Sequence, residues 1–279
     1  MRYGPPRGTR DLPPEEMILR NKVVEVIRRT FEAYGFSPLE TPAFERLEVL
    51  QAKCGEEVKE QIYAFKDKAG RMLGLRFDLT VPLARFVACN PQIPKPFKRY
   101  CISRVWRYEE VKAGRRYREF WQADADIVGS QSLEADVECL ALVSDCLQRL
   151  SIDNFYIRLN SRKLLNAMAK AAGVPASKTL DVFRAIDKMD KIGLEGVLEE
   201  LKGIGLKSGV REKLVDFLMA EGTNEELLEH AKRIAGEDEG LRELEEVLRL
   251  AETYGFAEKL KVDLSLARGL DYYTGPIYE

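Results

Sequence analysis

Phe97-Lys-Arg-Tyr-Cys-Ile-Ser-Arg-Val-Trp-Arg107 and Tyr117-Arg-Glu-Phe-Trp-Gln-Ala-Asp-Ala-Asp-Ile-Val-Gly129 are two strand-like stretches joined by a polar loop that holds Lys112, Gly114, Arg115 and Arg116. Both are rich in aromatic and β-branched residues, and the link is short, which predicts an antiparallel pair with a basic tip. In the second stretch the period of two puts Gln122, Asp124 and Asp126 on one face and Trp121, Ala123, Ala125 and Ile127 on the other. An acidic strand face at a sheet surface is satisfied by solvent alone, so the alternation by itself leaves open whether these carboxylates bind anything. Their neighbours add a second chemistry. Arg107 ends the first strand, Arg115 and Arg116 lie in the loop, and Glu109 and Glu110 stand between them. Guanidinium forks suit phosphate oxygens and carboxylates suit ammonium or imidazolium groups, so such a site could hold a nucleoside triphosphate beside an amino acid. A solvated hairpin tip, or a contact to an RNA backbone, explains the basic loop equally well.

Upstream, Asp11, two prolines and Glu15 and Glu16 announce a helix whose apolar positions Met17, Val24, Ile27 and Phe31 recur at helical spacing until Gly35. Phe36 to Phe44 is extended, because Pro38 and Pro42 bias their predecessors away from helix. An amphipathic segment covers Leu47 to Cys54, two short strands lie within Gln61 to Leu75, and Thr80 to Val87 reads as a helix with Pro82 in its first turn. Downstream, Leu133 to Leu150 is helical and Phe155 to Asn160 is a strand. Residues 161–257 are then almost continuously helical, roughly the size of a small domain. Strands return at Leu260 to Leu266 and within Tyr272 to Glu279. The expected division is a core over 1–160, a helical insertion over 161–257 and a return to the core over 258–279. The fold class is α+β: a mostly antiparallel sheet flanked by helices, with an all-helical insertion.

Bulk properties exclude little. The 279 residues can bury a substantial core, and 44 basic against 46 acidic side chains give a net charge of −2, so any nucleic-acid site must be a local patch. No apolar run is long enough to span a membrane and the amino terminus is polar and proline-rich, which predicts a soluble, cytoplasmic protein. Five cysteines without C-x-x-C spacing predict reduced, buried thiols and no metal site. The lone histidine, His230, falls in the helical region and is read as a helix-surface residue without a catalytic role.

Near the carboxyl end, Arg268-Gly-Leu-Asp-Tyr-Tyr-Thr-Gly275 sets an arginine, an acid and two phenols between glycines. Tyrosines offer hydrogen-bonding walls and glycines allow tight backbone paths, although an ordinary turn uses the same residues.

Three of these stretches resemble known motifs. Tyr34-Gly-Phe-Ser-Pro-Leu-Glu-Thr-Pro-Ala-Phe-Glu45 looks like the first class II aminoacyl-tRNA synthetase motif, and Trp106-Arg-Tyr-Glu-Glu through Arg116-Tyr-Arg-Glu-Phe-Trp-Gln122 resembles the second. Arg268-Gly-Leu-Asp-Tyr-Tyr273 is similar to the histidine-specific motif of histidyl-tRNA synthetases, and with the opening Arg7-Gly-Thr-Arg-Asp11 the likeness covers almost the whole chain. It implies a ligase that uses ATP, with Mg²⁺, to activate L-histidine and load it onto tRNA(His), working as a homodimer. By that likeness Arg107 touches the ATP α-phosphate, Arg116 the γ-phosphate, and Glu109 faces the adenine. Asp78 and Thr80 hold the amino group of histidine, Gln122 and Asp126 belong to the histidine-binding strand, Arg268 reaches the α-phosphate and the histidine carboxylate, and Tyr272 and Tyr273 line the imidazole pocket. Aspartate stands at 78 and 126 where many family members have glutamate, and the loop before Arg116 is one residue longer than in common bacterial versions.

In related enzymes a helical insertion contacts the tRNA acceptor arm; Arg162, Lys163, Lys170, Lys178, Lys188, Lys191, Lys202 and Lys207 are candidates here, equally explained as solvated helix faces. Family members continue past the equivalent of Glu279 into a third motif and an anticodon-binding domain, which predicts that this chain is a fragment of a longer parent. Two other readings share the fold: the histidine-sensing regulatory subunit of ATP phosphoribosyltransferase, and a tRNA-binding pseudo-synthetase module. Retention of Arg107, Arg116, Gln122 and the Arg268 to Tyr273 cluster favours the ligase.

Overall fold

Prolines fill the first positions of helix α1 (Pro14–Ala33), where a missing N–H costs nothing, and Glu15 and Glu16 complement the positive end of the helix. The helix stops where Gly35 takes a φ of 78°, a left-handed backbone open to a residue without Cβ. The chain continues through β1 (Ser37–Pro38), β2 (Phe44–Arg46), α2 (Leu47–Gln51), α3 (Glu56–Gln61), β3 (Ala64–Lys66), β4 (Met72–Leu75), α4 (Thr80–Cys89), β5 (Phe97–Trp106), β6 (Glu119–Val128) and α5 (Leu133–Arg149). Next come β7 (Ile157–Ser161), α6 (Arg162–Ala172), α7 (Thr179–Ile186), α8 (Met189–Gly203), α9 (Ser208–Leu218), α10 (Asn224–Ala235), α11 (Glu239–Tyr254), β8 (Leu260–Val262) and β9 (Pro276–Tyr278). This computed structural model describes residues 3–52, 55–112, 116–268 and 273–279. The backbone divides into two compact units, Met1–Gln131 with Asp145–Ile152, and Ser132–Ser144 with Asp153–Glu279.

The first unit carries two three-stranded sheets, ordered β1-β5-β6 and β2-β4-β3. The β5–β6 pair is antiparallel from Phe97 opposite Val128 to Trp106 opposite Glu119, as the sequence predicts. Pro38, which has no N–H to give, sits on the edge strand β1, parallel to β5. Behind the pair, Phe31 of α1 packs edge-on against Tyr100 at 5.6 Å. Arg76 follows β4 and is 2 % exposed. It donates to the carbonyls of Arg104 (2.8 Å) and Thr41 (2.7 Å), to the Glu40 carboxylate (3.0 Å) and to the Ser103 hydroxyl. One guanidinium thereby joins β5 to the extended segment between β1 and β2.

In the second unit the sheet order is β8-β7-β9, with β7 parallel to β8 and antiparallel to β9. Helices α6 to α11 bury an apolar core that includes Leu164, Leu165, Met168, Val182, Phe183, Leu214, Phe217, Leu244 and Val247. Their ends carry the expected signals: Ser161 caps α6, a capping box of Thr223 and Glu226 opens α10, and Asp238 caps α11. Gly240 lies at the start of α11, where an added Cβ would stand 2.3 Å from the Leu164 backbone nitrogen. Gly240→Ala should therefore lower stability by about 2 kcal/mol through overpacking, read from urea unfolding of the second unit.

Four antiparallel and two parallel strand pairings among the described residues, with helices around them, agree with the α+β class. Three details differ from the sequence reading. Helix α3 was not anticipated. The strand expected over Leu260 to Leu266 ends at Val262, because the Asp263 carboxylate accepts from the Ser265 N–H (2.9 Å) and hydroxyl (2.6 Å), turning the chain. Cys101 and Cys146 are buried free thiols, as expected, but Cys89 is exposed; Cys54 lies outside the described residues.

Candidate active site

The β5–β6 register sets Arg99, Cys101, Ser103 and Val105 opposite Asp126, Asp124, Gln122 and Phe120. Alternation puts all eight on one face. Arg99 is 1 % exposed and its guanidinium stands 2.9 Å from Asp126 Oδ2, while Asp126 is 24 % exposed. The same nitrogen, Arg99 Nη2, donates to the carbonyl of Leu79 at 2.8 Å. The Asp126 contact is an ion pair by distance without hydrogen-bond alignment, since Asp126 Oδ2 and Arg99 Nε are both buried without a hydrogen-bond partner. Gln122 Oε1 on the same face is a third such atom. Buried polar atoms left unmatched cost about 1–3 kcal/mol each, so the clustering of two acceptors, Gln122 Oε1 and Asp126 Oδ2, and one donor, Arg99 Nε, makes this face a candidate ligand site.

The carboxylates share one field. Burial first, then the Asp126 carboxylate and Asp78, push the Asp124 carboxyl up to about 6, against the opposing pull of Arg99 and Arg107. Burial also raises Asp126; Arg99 opposes that shift and Asp78 adds to it. A carboxyl raised in the folded state takes up its proton on folding between about pH 6 and the unfolded value near 3.9, so it weakens the fold once ionised and this penalty fades as pH falls through that window. Asp124→Asn should thus raise stability at pH 8 by on the order of 2 kcal/mol and by almost nothing at pH 4, as measured by denaturant unfolding at the two pH values.

Asp78 has a local task beside any ligand. Its Oδ1 accepts the Thr80 N–H (3.1 Å) and the Val81 N–H (2.8 Å), capping α4. Its other oxygen makes no hydrogen bond among the described residues, and Thr80 is exposed at the first position of α4. The turn that carries both is fastened to the strand face by Arg99 through Leu79.

Just past the end of β5, the Arg107 guanidinium lies 4.4 Å from the Phe77 ring centroid and 5.1 Å from that of Phe120, with Nε donating to the Phe77 carbonyl at 3.1 Å. Stacking fixes the plane and leaves the two terminal nitrogens without a partner among the described residues, which suits a bidentate grip on an oxyanion. Glu109 and Arg116 pair with each other at 3.4 Å, with Glu109 22 % and Arg116 49 % exposed. Arg118 braces this corner: it donates to the Glu109 carbonyl (3.1 Å), stacks on Tyr108, and gives its backbone N–H to Gly8. Gly8 has a φ of 84° and room for no Cβ against the Arg118 stem, which accounts for the glycine in the opening Arg7 to Asp11 stretch.

Arg268 and Tyr273 belong to the second unit. Arg268 pairs with Glu279 at 3.3 Å and its carbonyl accepts from Arg162 at 3.0 Å. Tyr273 is partly buried, while Tyr272 and Arg115 lie outside the described residues. Among the basic residues of the helical region, Lys163 is held by Glu239 and Glu243, Lys188 by Glu200, Lys202 by Glu199 and Lys178 by the Ile204 carbonyl. Arg162 stacks over Phe183. Lys170, Lys191 and Lys207 are exposed. His230 contacts the Asp216 carbonyl and Arg233, both at 3.3 Å, a helix-packing role.

Sequence reading missed Arg76, Arg99 and Glu40, whose carboxylate meets Arg76, Ser103 and Cys101. Arg99 had a usable signal: it lies an even number of residues from Cys101 and Ser103 on a strand, so it points the same way they do.

A sequence model of the family described as histidyl-tRNA synthetase matches residues 8–279. The histidine-tRNA ligase of Aeropyrum pernix is 49 % identical over 99 % of this chain and 63 % of its own length. That of Thermococcus kodakarensis is 39 % identical over 98 % and 63 %. The crystal structure of histidyl-tRNA synthetase from Nostoc sp. PCC 7120 superposes with a TM-score of 0.85 at 34 % identity, covering all of this chain and 65 % of the other. A Bacillus halodurans structure described as an ATP phosphoribosyltransferase regulatory subunit/histidyl-tRNA synthetase gives 0.86 at 24 % identity over all of this chain and 72 % of its own, a likeness of fold alone. The chain spans about 63 % of the length of the curated relatives it matches.

Proposed function

The chain belongs to the histidyl-tRNA synthetase family, and on that premise we propose that the β5–β6 face receives L-histidine and ATP, joins them as histidyl-adenylate, and serves transfer of histidine to tRNA(His). The observation that carries this reading is the pair of buried, unmatched acceptors, Gln122 Oε1 and Asp126 Oδ2, on a face with more carboxylates than guanidiniums. Histidine brings an ammonium group and an imidazole N–H, the donors that such a face lacks. Asp78 Oδ2 and Thr80 are the further candidates for the ammonium, and Tyr272 and Tyr273 for the imidazole.

The reaction needs no general base, because the histidine carboxylate is already the nucleophile that attacks the α-phosphorus and expels pyrophosphate. What the chain supplies is position and charge. Arg107, held flat between Phe77 and Phe120, would meet the charge growing on the α-phosphate. Arg268, paired with Glu279 in the second unit, is by the family likeness a second cation for the α-phosphate and the histidine carboxylate. Arg116 would exchange Glu109 for the γ-phosphate, leaving Glu109 for the adenine. Mg²⁺, when bound with the nucleotide, would supply positive charge to the departing phosphates; among the described residues no three His, Cys, Asp or Glu side chains stand where they could hold a metal ion.

For tRNA, Lys170, Lys191 and Lys207 are the residues best placed by exposure. A homodimer fits the exposed apolar patch of Phe44, Phe65 and Met72 on the β2-β4-β3 sheet, each more than 40 % exposed. No helix among the described residues is long and apolar enough to cross a membrane; a tRNA-charging reaction belongs with translation, in the cytoplasm. The test is amino-acid-dependent exchange of labelled pyrophosphate into ATP. Exchange that requires histidine and no other amino acid supports the ligase, whereas histidine binding without exchange favours the regulatory-subunit reading.

A further inference from the structure

Arg99 is the least exposed cation on the β5–β6 face, and its contacts differ in kind from those of Arg76. Arg76 spends its nitrogens on carbonyls, a hydroxyl and the half-open Glu40, joining segments that carry no assigned ligand. Arg99 reaches the carbonyl of Leu79, between Asp78 and Thr80, and the carboxylate of Asp126, and it leaves Nε buried and unmatched. For stability alone this is a poor use of a buried position, since well-packed apolar side chains often replace buried ion pairs at no cost. The arrangement makes sense if the ends that Arg99 holds are themselves in use.

We propose that Arg99 is a positioning residue for histidine, tying the Asp78–Thr80 turn to Asp126 so that the two sets of groups that receive the amino acid keep a fixed spacing. This rests on the histidine reading given above. The groups whose charge acts on Asp126 are Arg99 from β5 and Asp78 from the turn before α4, and the neighbouring Asp124 is acted on by the same two together with Asp126 and Arg107. Arg99 is the only one of these that favours the ionised form of Asp126. Removing it leaves Asp126 to burial and to Asp78, both of which favour the protonated acid, a weaker acceptor without the charge that draws the cationic groups of histidine. One nitrogen, Nη2, meets both Leu79 and Asp126; lysine keeps the charge but carries it on a flexible stem without the planar guanidinium that holds that nitrogen between the two.

The test is calorimetric titration of wild type, Arg99→Met and Arg99→Lys with L-histidine over a pH series, with ATP titrated in parallel and thermal melts confirming the fold. Arg99→Met should weaken histidine by about tenfold or more at neutral pH and move the acidic loss of affinity to higher pH, with ATP affinity held within about twofold. Arg99→Lys should weaken histidine while its acidic loss stays near that of wild type. If Arg99→Met does not fold, Arg99→Lys carries the decision. Variant affinities equal to wild type, or equal losses for histidine and ATP with an unmoved pH dependence, overturn the positioning role and leave the histidine reading intact. Failure of wild type to bind histidine removes that reading and this one with it.

Discussion

Arg107→Ala should lower histidine-dependent pyrophosphate exchange by roughly 10²–10³-fold while leaving histidine affinity within a few-fold of wild type, because in the proposed reaction the guanidinium acts on charge that develops only in the transition state. Its surroundings support a dedicated role. Two phenyl rings fix the plane of the group, Nε is committed to the Phe77 carbonyl, and the terminal nitrogens face no partner among the described residues. An arginine serving stability would have those nitrogens matched, as Arg76 does. Steady-state exchange kinetics with a folded variant decide the matter, and a rate within threefold of wild type would remove Arg107 from the chemistry.

The other large effect is on stability. Arg76→Met keeps the apolar volume but deletes every donor that Arg76 offers, stranding the Thr41 and Arg104 carbonyls in a place water reaches poorly. Glu40 is 64 % exposed and can be rehydrated, so the loss comes mainly from the two carbonyls and the Ser103 contact. We expect a cost of about 3 kcal/mol in urea unfolding of the first unit. A cost below about 1 kcal/mol would show that Arg76 is replaceable by packing alone.

The contrast between these arginines also shows what a sequence can carry. The β5–β6 pair was legible because alternation and a short polar link are local properties, and α1 because proline, acids and glycine mark its ends. Gln122, Asp124 and Asp126 could be put on one face by counting. Their burial could not, since it depends on Arg99 arriving from the neighbouring strand in one register. Asp78 reads as a binding acid in the sequence, yet one of its oxygens is already taken by the N–H groups that open α4. Likewise Arg116 and Glu109, seven residues apart across a loop, pair with each other. Such pairings depend on side-chain reach within a folded turn. In the helical region, most of the basic residues named as RNA contacts find carboxylates or carbonyls, largely from segments distant in sequence, which spacing alone left undecided.

The most direct measurement is the heat of binding of L-histidine to wild type and to Asp126→Asn, with other amino acids as controls. Saturable binding confined to histidine, weakened by about tenfold or more in the folded Asp126→Asn protein, is the predicted result. Equal binding by wild type and variant, or equal binding of an unrelated amino acid, would contradict the assignment of the β5–β6 face to histidine.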